Sequence, residues 1–113
     1  MIRYAIHLSP SGEEAIEEQI AWLKLSPSGD GSRLARRWYD DLGAVFESLT
    51  RHPERNGFAP ENGSAVPGTE VRQKRFRPWK GKPGWRVIYA IDTPGGIINI
   101  LDVRSERQPW AEG

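Results

Sequence analysis

Five apolar residues recur at intervals of three and four between residues 32 and 51, the clearest periodic pattern in the chain. They are Ala35, Trp38, Leu42, Val45 and Leu49. Such intervals place side chains on one face of an α-helix, so an amphipathic helix is predicted from Ser32 to Arg51, with an apolar face that must be covered. With 113 residues the chain is long enough to cover that face itself, and we expect residues 1–113 to form a single domain.

A strand and another helix are predicted ahead of this segment. Residues alternate between apolar and polar from Ile2 to Leu8, which is typical of a strand with one buried face. Ser9 and Pro10 favour a helix start, with Ser11 and Glu14 as a competing capping box. The turn residues from Ser26 to Gly31 favour its end. The apolar stripe of this helix is Ile16, Ile20 and Leu23. Two amphipathic helices joined by so short a turn predict an antiparallel helical hairpin.

Three strands are predicted after a long loop. The segment from Pro53 to Thr69 has three prolines, three glycines and no periodicity, which indicates a loop. The strands are predicted at Val71–Phe76, Trp85–Ile91 and Ile97–Val103. The last is apolar on both faces, which indicates a central position, and Gly95-Gly96 suits the hairpin before it. The order β-α-α-β-β-β predicts an α+β fold in which the helical hairpin packs on a mainly antiparallel four-stranded sheet.

Positive charge is concentrated in the second half of the chain. Residues 70–113 carry nine Lys/Arg against five Asp/Glu, whereas residues 1–69 carry seven against ten. Between Val71 and Ile91 there are seven Lys/Arg, four large aromatic residues and no acid. Basic and aromatic side chains on adjacent strands suit a polyanion. We therefore expect an acidic partner, which on charge alone is either nucleic acid or an acidic protein segment.

Several kinds of chemistry are excluded or disfavoured by composition. The chain has no cysteine, which excludes disulfide and thiolate chemistry. His7 and His52 are the only histidines and have no ligand-like spacing around them, so no metal site and no cofactor are predicted. Because no apolar run is long enough to span a membrane and no signal peptide is recognisable, we expect a cytoplasmic protein with no membrane partner.

Five strings of the sequence carry a resemblance to a known family. In chain order they are YAIHLSPSGEEAIEEQIAWL, ARRWYDDLGAVFESLTRHPER, APEN, WRVIYAID and INILDVRSERQPW. Together they resemble the RelE/ParE toxins of bacterial type II toxin–antitoxin modules, also called plasmid stabilisation proteins, over nearly the whole chain. The resemblance implies a small cytoplasmic toxin that is held inactive by a cognate antitoxin, whose partly disordered and often acidic segment wraps around it.

The resemblance implies two activities, because the family has two branches. RelE-like members cleave mRNA on the ribosome without a metal, and ParE-like members inhibit DNA gyrase. Our leading expectation is a metal-independent, ribosome-dependent mRNA endonuclease, with ribosome and mRNA as partners. The alternatives are a protein inhibitor of gyrase and a catalytically inactive relic that only binds its antitoxin.

For the nuclease branch the resemblance also implies catalytic residues. A 2′-hydroxyl attacks the adjacent phosphate, which requires a base, an acid and cations. Arg86 matches the arginine of the family's penultimate strand, and Arg107 matches the arginine of its polar tail. Lys74 and Arg75 are the further catalytic candidates. Two alternatives stay open: Arg86 is a structural arginine that binds an acid across the fold, and Glu106 neutralises Arg107.

Four residues are expected to bind RNA: Arg72, Arg77, Trp79 and Trp110. Trp110 stands where the family has a tyrosine, and it can stack on a base but cannot exchange a proton. The arginines are alternatively the solvated edge of the sheet. Trp79 lies in a loop, from which it either contacts a partner or folds back over the sheet. Trp22 and Trp38 lie in the predicted helices and are interpreted as structural.

Overall fold

Two helices pack on one face of a four-stranded sheet in the computed structural model, which describes residues 3–63 and 69–106. The elements are β1 (Ala5–Leu8), α1 (Pro10–Lys24), α2 (Gly31–Arg51), β2 (Val71–Phe76), β3 (Trp85–Asp92) and β4 (Ile97–Ser105). The strand order is β1-β4-β3-β2, with β1 parallel to β4 and the other pairs antiparallel. These findings confirm the predicted α+β fold and the central position of β4. Neither helix is both long and apolar enough to cross a bilayer, within the described ranges.

The first strand is shorter than the alternation predicted. It begins at Ala5, and the preceding Tyr4 N–H donates to Thr50 O of α2 at 2.9 Å. The Tyr4 side chain is nevertheless buried in the core, as the alternation predicted. Ile2, where the strand was predicted to start, lies outside the described residues. The backbone of Tyr4 thus ties the start of the sheet to the end of α2.

The start of α1 is fixed on β4 by a serine cap. The Ser9 side chain accepts a hydrogen bond from Gly12 N–H (3.0 Å) and donates one to Ile100 O (2.7 Å). Ser11 donates in turn to Leu101 O at 2.9 Å. A cap that satisfies an exposed N–H of the first turn favours a helix start at this position. Because the same serine also binds the sheet, the first turn of α1 lies directly against the strand backbone.

This close approach predicts a cost for any side chain at Gly12. A Cβ there would lie 2.4 Å from Ile100 O, a backbone atom that cannot move aside. We expect Gly12→Ala to lower the free energy of unfolding by about 1–3 kcal/mol through overpacking, despite the better helix propensity of alanine. The matched control is Gly43→Ala in α2, where a Cβ meets nothing within 4 Å and a gain of about 0.5–1 kcal/mol is expected. Urea unfolding measures both, and a Gly12→Ala protein as stable as wild type would contradict the packing.

The main core lies between the helices and the sheet. All five residues of the predicted α2 stripe are buried, and they pack with buried residues of α1, β3 and β4. Trp38 is fully buried and lies beside Phe76 (5.9 Å between ring centroids) and Trp85 (6.1 Å). Trp79 completes this aromatic cluster by packing edge-on against Trp85 at 6.0 Å. The cluster joins α2 to the ends of β2 and β3 that flank the connecting loop.

The described part of the long loop packs along the outer edge of β2. Ala59 N–H donates to Val71 O (2.8 Å), and Gln73 N–H donates to Gly57 O (3.1 Å). Ala59 also joins Val71 and Ile88 in a small apolar cluster on the sheet face away from the helices. The segment therefore brings side chains to that second face, although its sequence predicted only a loop.

Candidate functional site

Three arginines form a row across the sheet on the face opposite the helices. Arg86 of β3 lies opposite Arg75 of β2 and Arg104 of β4 in the strand register. Directly opposite residues project to the same side of a sheet. Arg86 alternates with Trp85 and Val87, which are buried on the helix side, so the three guanidinium groups lie on the other side. We call Arg75, Arg86 and Arg104 the arginine row.

Each arginine of the row has a carboxylate nearby. Arg86 Nη1 and Nη2 donate to the two carboxylate oxygens of Glu61 at 2.9 and 2.8 Å. Arg104 Nε donates to Asp102 Oδ2 at 2.5 Å, and Arg75 Nε lies 3.9 Å from Glu106 Oε1. Like charges directly opposite each other in a sheet repel. Three acids therefore offset the repulsion among three cations.

The Arg86–Glu61 pair is closed and nearly buried. The two side chains are only 12% and 6% exposed, and Gln73 Oε1 accepts a further bond from Arg86 Nη1 at 3.0 Å. The hydrogen bonds from Arg86 lower the pKa of Glu61, although burial opposes this, and the charge of Arg104 adds to the lowering. The bond to Glu61 likewise raises the pKa of Arg86 against the effect of burial. Both groups are consequently charged at neutral pH, and each is the principal partner of the other.

The lowered pKa of Glu61 predicts a loss of stability in acid. A carboxyl whose pKa is lower in the folded state stabilises the protein above its unfolded pKa, here near the ordinary 4.5, and this contribution disappears as the pH falls through the folded value. We expect the stability difference between wild type and Glu61→Gln to be largest at pH 7 and to shrink steadily below pH 4.5. Urea unfolding of both proteins across this range tests it. A difference that stays constant as the pH falls would contradict the linkage.

The other catalytic candidates separate from the row. Arg75 belongs to it and is exposed, whereas Lys74 lies opposite Val87 in the register and so projects to the helix side. Arg107 lies outside the described residues. Of the four residues expected to act together, the structure brings Arg75 and Arg86 onto one face.

The residues expected to bind RNA take different places. Arg72 donates to Asn56 O at 2.6 Å and covers the Phe58 ring at 4.4 Å, so it clamps the loop to the edge of β2. Arg77 is exposed just after β2. Trp79 is half-buried against Trp85 and thus folds back over the sheet. Trp110 lies outside the described residues.

Two residues of the site were not selected from the sequence. Arg104 lay outside the predicted strands because β4 was predicted to end at Val103, and the strand in fact continues to Ser105. The hairpin register continued from Asp92 and Ile97 would place Val103 opposite Arg86, and the register shift between Ile88 and Tyr89 places Arg104 there instead. Glu61 lies in the APEN string, but no local pattern indicates which cation it meets. Within residues 3–63 and 69–106, no cluster of three or more His, Asp or Glu is arranged to hold a metal ion.

Comparisons with known proteins agree with this architecture. A family model described as the ParE toxin of the type II toxin–antitoxin system parDE matches residues 6–110. The toxin–antitoxin complex RelBE2 of Mycobacterium tuberculosis is 18% identical with a TM-score of 0.53, over 93% of this chain and 100% of that chain. The chromosomal ParDE system of P. aeruginosa is 14% identical with a TM-score of 0.61, over 91% and 96%. No curated protein matches the sequence significantly. At such identities the structural likeness establishes the fold.

Proposed function

This chain belongs to the ParE toxin family of type II toxin–antitoxin systems, and from that membership we propose that it inhibits DNA gyrase by binding it and does not cut mRNA. An antitoxin partner holds it inactive. The match to a ParE model supports this branch. The observation that carries the proposal is the closed Arg86–Glu61 pair. Nuclease chemistry would need Arg86 to bind a phosphate, and the pair already occupies its guanidinium group.

The reason is energetic. An arginine that stabilises a phosphate in the transition state must present free N–H groups to the developing charge. Arg86 uses Nη1 and Nη2 on Glu61 and also bonds Gln73. Separating a buried pair leaves an uncompensated charge, at a cost of about 3–5 kcal/mol. A substrate phosphate would have to overcome that cost, whereas a protein-binding toxin has no need to open the pair.

Two assays on the purified chain test the proposal. We expect the toxin to inhibit supercoiling of relaxed plasmid by gyrase, and the antitoxin to relieve the inhibition. We expect mRNA in a cell-free bacterial translation reaction to stay intact when its ends are mapped by primer extension. Ribosome-dependent cuts at fixed codon positions, with gyrase unaffected, would overturn the proposal.

A second function, ribosome-dependent mRNA cleavage, is favoured by one arrangement. The arginine row is a line of cations, and the Glu61 carboxylate lies within it. In this hypothesis Glu61 accepts the 2′-hydroxyl proton as the 2′-oxygen attacks the adjacent phosphorus. The P–O5′ bond breaks, water protonates the departing 5′-oxygen, and Arg86 and Arg104 stabilise the charge on the phosphate. The lowered pKa makes Glu61 a weaker base, which is why this function ranks second. If cuts appear in the mRNA assay, Glu61→Gln should abolish them.

A further inference from the structure

Two asparagines in the loop before β2 are each followed by a glycine, at Asn56-Gly57 and Asn62-Gly63. In such a pair the glycine nitrogen can attack the asparagine amide, since no Cβ hinders that nitrogen or restricts its backbone. The attack is intramolecular and so needs no encounter with a second molecule. Asparagine is accordingly among the thermolabile residues of proteins. The structure gives the two pairs different surroundings.

The surroundings of Asn62 favour this attack. Its Oδ1 accepts a hydrogen bond from Val71 N–H at 2.8 Å. A donor at this distance stabilises the negative charge that develops on the oxygen when a nucleophile adds to the amide carbon. Nδ2, which would leave, has no hydrogen-bond partner within the described part of the chain. Asn62 and Gly63 are also exposed, so water reaches both.

The surroundings of Asn56 oppose it. Its Nδ2 donates to the hydroxyl of the buried Tyr89 at 3.1 Å, so the leaving nitrogen is anchored. Its carbonyl oxygen accepts a hydrogen bond from Arg72 at 2.6 Å. The backbone is extended, with ψ of 145°, and ring closure requires ψ to rotate far from this value. Gly57 O accepts from Gln73 N–H at 3.1 Å, which holds the next residue on β2. This pair is therefore an internal control within the same loop.

We propose that Asn62 is a site of spontaneous deamidation, which modifies the chain as it ages. The deprotonated nitrogen of Gly63 attacks Cγ of Asn62 and forms a succinimide ring. The Cγ–Nδ2 bond breaks, and the proton lost from the glycine nitrogen is returned through solvent to the departing group, which leaves as ammonia. Water then opens the ring. Addition at one ring carbonyl gives aspartate, and addition at the other gives isoaspartate, in which the main chain runs through Cβ. The reaction does not depend on whether the toxin inhibits gyrase or cuts mRNA.

Asn62 closes the turn that presents Glu61 to Arg86. Its N–H donates to Ala59 O at 2.9 Å. The C=O and N–H of Val71 are bound by Ala59 N–H and Asn62 Oδ1, each at 2.8 Å. Isoaspartate adds a carbon to the main chain and moves the acceptor away from the Val71 N–H. The two bonds from Arg86 to Glu61 depend on close alignment, so the pair is weakened in the isoaspartyl form.

Peptide mass spectrometry of the purified full chain, sampled during warm incubation at several pH values, tests the site. We expect deamidation at Asn62 to be several-fold faster than at Asn56 and to speed up as the pH rises, because the attacking nitrogen must be deprotonated. Isoaspartyl methyltransferase should label the product at Asn62. Each event lowers the formal net charge, +1 in the unmodified chain, so ion-exchange chromatography separates the products.

Unfolding the chain separates the effect of structure from that of sequence. In concentrated urea both pairs lose their hydrogen bonds, and the rates at Asn56 and Asn62 should become similar because each asparagine precedes a glycine. Equal rates in the folded chain would overturn the proposal. So would the absence of product at Asn62 over a period in which the sample in urea reacts.

Urea unfolding of the isolated isoaspartyl form measures the effect on the pair. We expect this form to be less stable than fresh wild type. Fresh Asn62→Asp adds the same charge without lengthening the main chain, so it should keep most of the wild-type stability. Arg86→Met/Glu61→Leu has no pair to weaken, and isoaspartate should therefore lower its stability by a smaller amount. An equal loss in both backgrounds would contradict the link between Asn62 and the pair.

Discussion

Replacing Trp38 by alanine is expected to lower the free energy of unfolding by about 3–5 kcal/mol, as for other buried aromatic residues. Trp38 is fully buried and contacts the rings of both Phe76 and Trp85, so α2, β2 and β3 all lose packing at once. Its indole N–H has no hydrogen-bond partner among the described residues. The loss therefore comes mainly from the cavity and from missing van der Waals contacts.

Urea unfolding followed by circular dichroism measures this effect, with Tyr39→Ala as the control. Tyr39 is the next residue of the same helix but is 56% exposed, so a change within about 0.5 kcal/mol is expected. Because total stabilities are about 5–15 kcal/mol, a loss of this size removes a large part of the total. If Trp38→Ala does not fold, Trp38→Phe is compared with Tyr39→Ala instead, and a smaller loss of unfolding free energy is expected for it. Equal stabilities for the Trp38 and Tyr39 variants would contradict the assigned core.

The elements that the sequence predicts best are those whose signal is local. The α2 stripe repeats every three or four residues, and all of its members are buried, because a helix fixes which residues share a face without help from the rest of the chain. The strands were predictable for the same reason. Gly95-Gly96 also marked the hairpin correctly, since Gly96 adopts φ of +64° in that turn.

The candidate site depends on contacts between distant residues, and here the sequence predicts less. Glu61 and Arg86 are 25 residues apart, and their meeting depends on the path of a loop that has no periodic pattern. Arg104 entered the row because β4 runs two residues past its predicted end and because its pairing with β3 shifts by one residue between Ile88 and Tyr89. Trp22 lies in an amphipathic helix, but its neighbours in the sequence do not show that its side chain is 65% exposed. Composition predicted a basic surface, yet the acids that neutralise it come from other segments.

The Arg86–Glu61 pair gives the second large prediction. Glu61→Ala is expected to lower the free energy of unfolding by about 3–5 kcal/mol. Arg86 would keep its charge in a site where the side chain is 12% exposed, with Gln73 as its remaining neutral partner. Asp102 and Glu106 would still attract Arg86 through charge, but the two hydrogen bonds to Glu61 would be lost, so the cost is mainly that of a buried charge without its paired carboxylate. Exposed pairs provide the control: Arg36–Asp40, at 3.5 Å with both side chains more than half exposed, should change stability by less than about 1 kcal/mol when Asp40 is replaced by alanine.

Removing both members of the pair separates structure from catalysis. Apolar residues of similar volume often replace a buried ion pair with little loss of stability or with a gain. The free energy of unfolding of Arg86→Met/Glu61→Leu should therefore lie within about 2 kcal/mol of the wild-type value. If Arg86 and Glu61 only join the loop to the sheet, this stable double variant keeps its toxicity and its effect on gyrase. If they act on RNA, the protein is folded and binds its antitoxin but is harmless in cells. Because stability is preserved, loss of activity in this variant cannot be attributed to unfolding. Such a loss would support mRNA cleavage and contradict the proposed inhibition of gyrase.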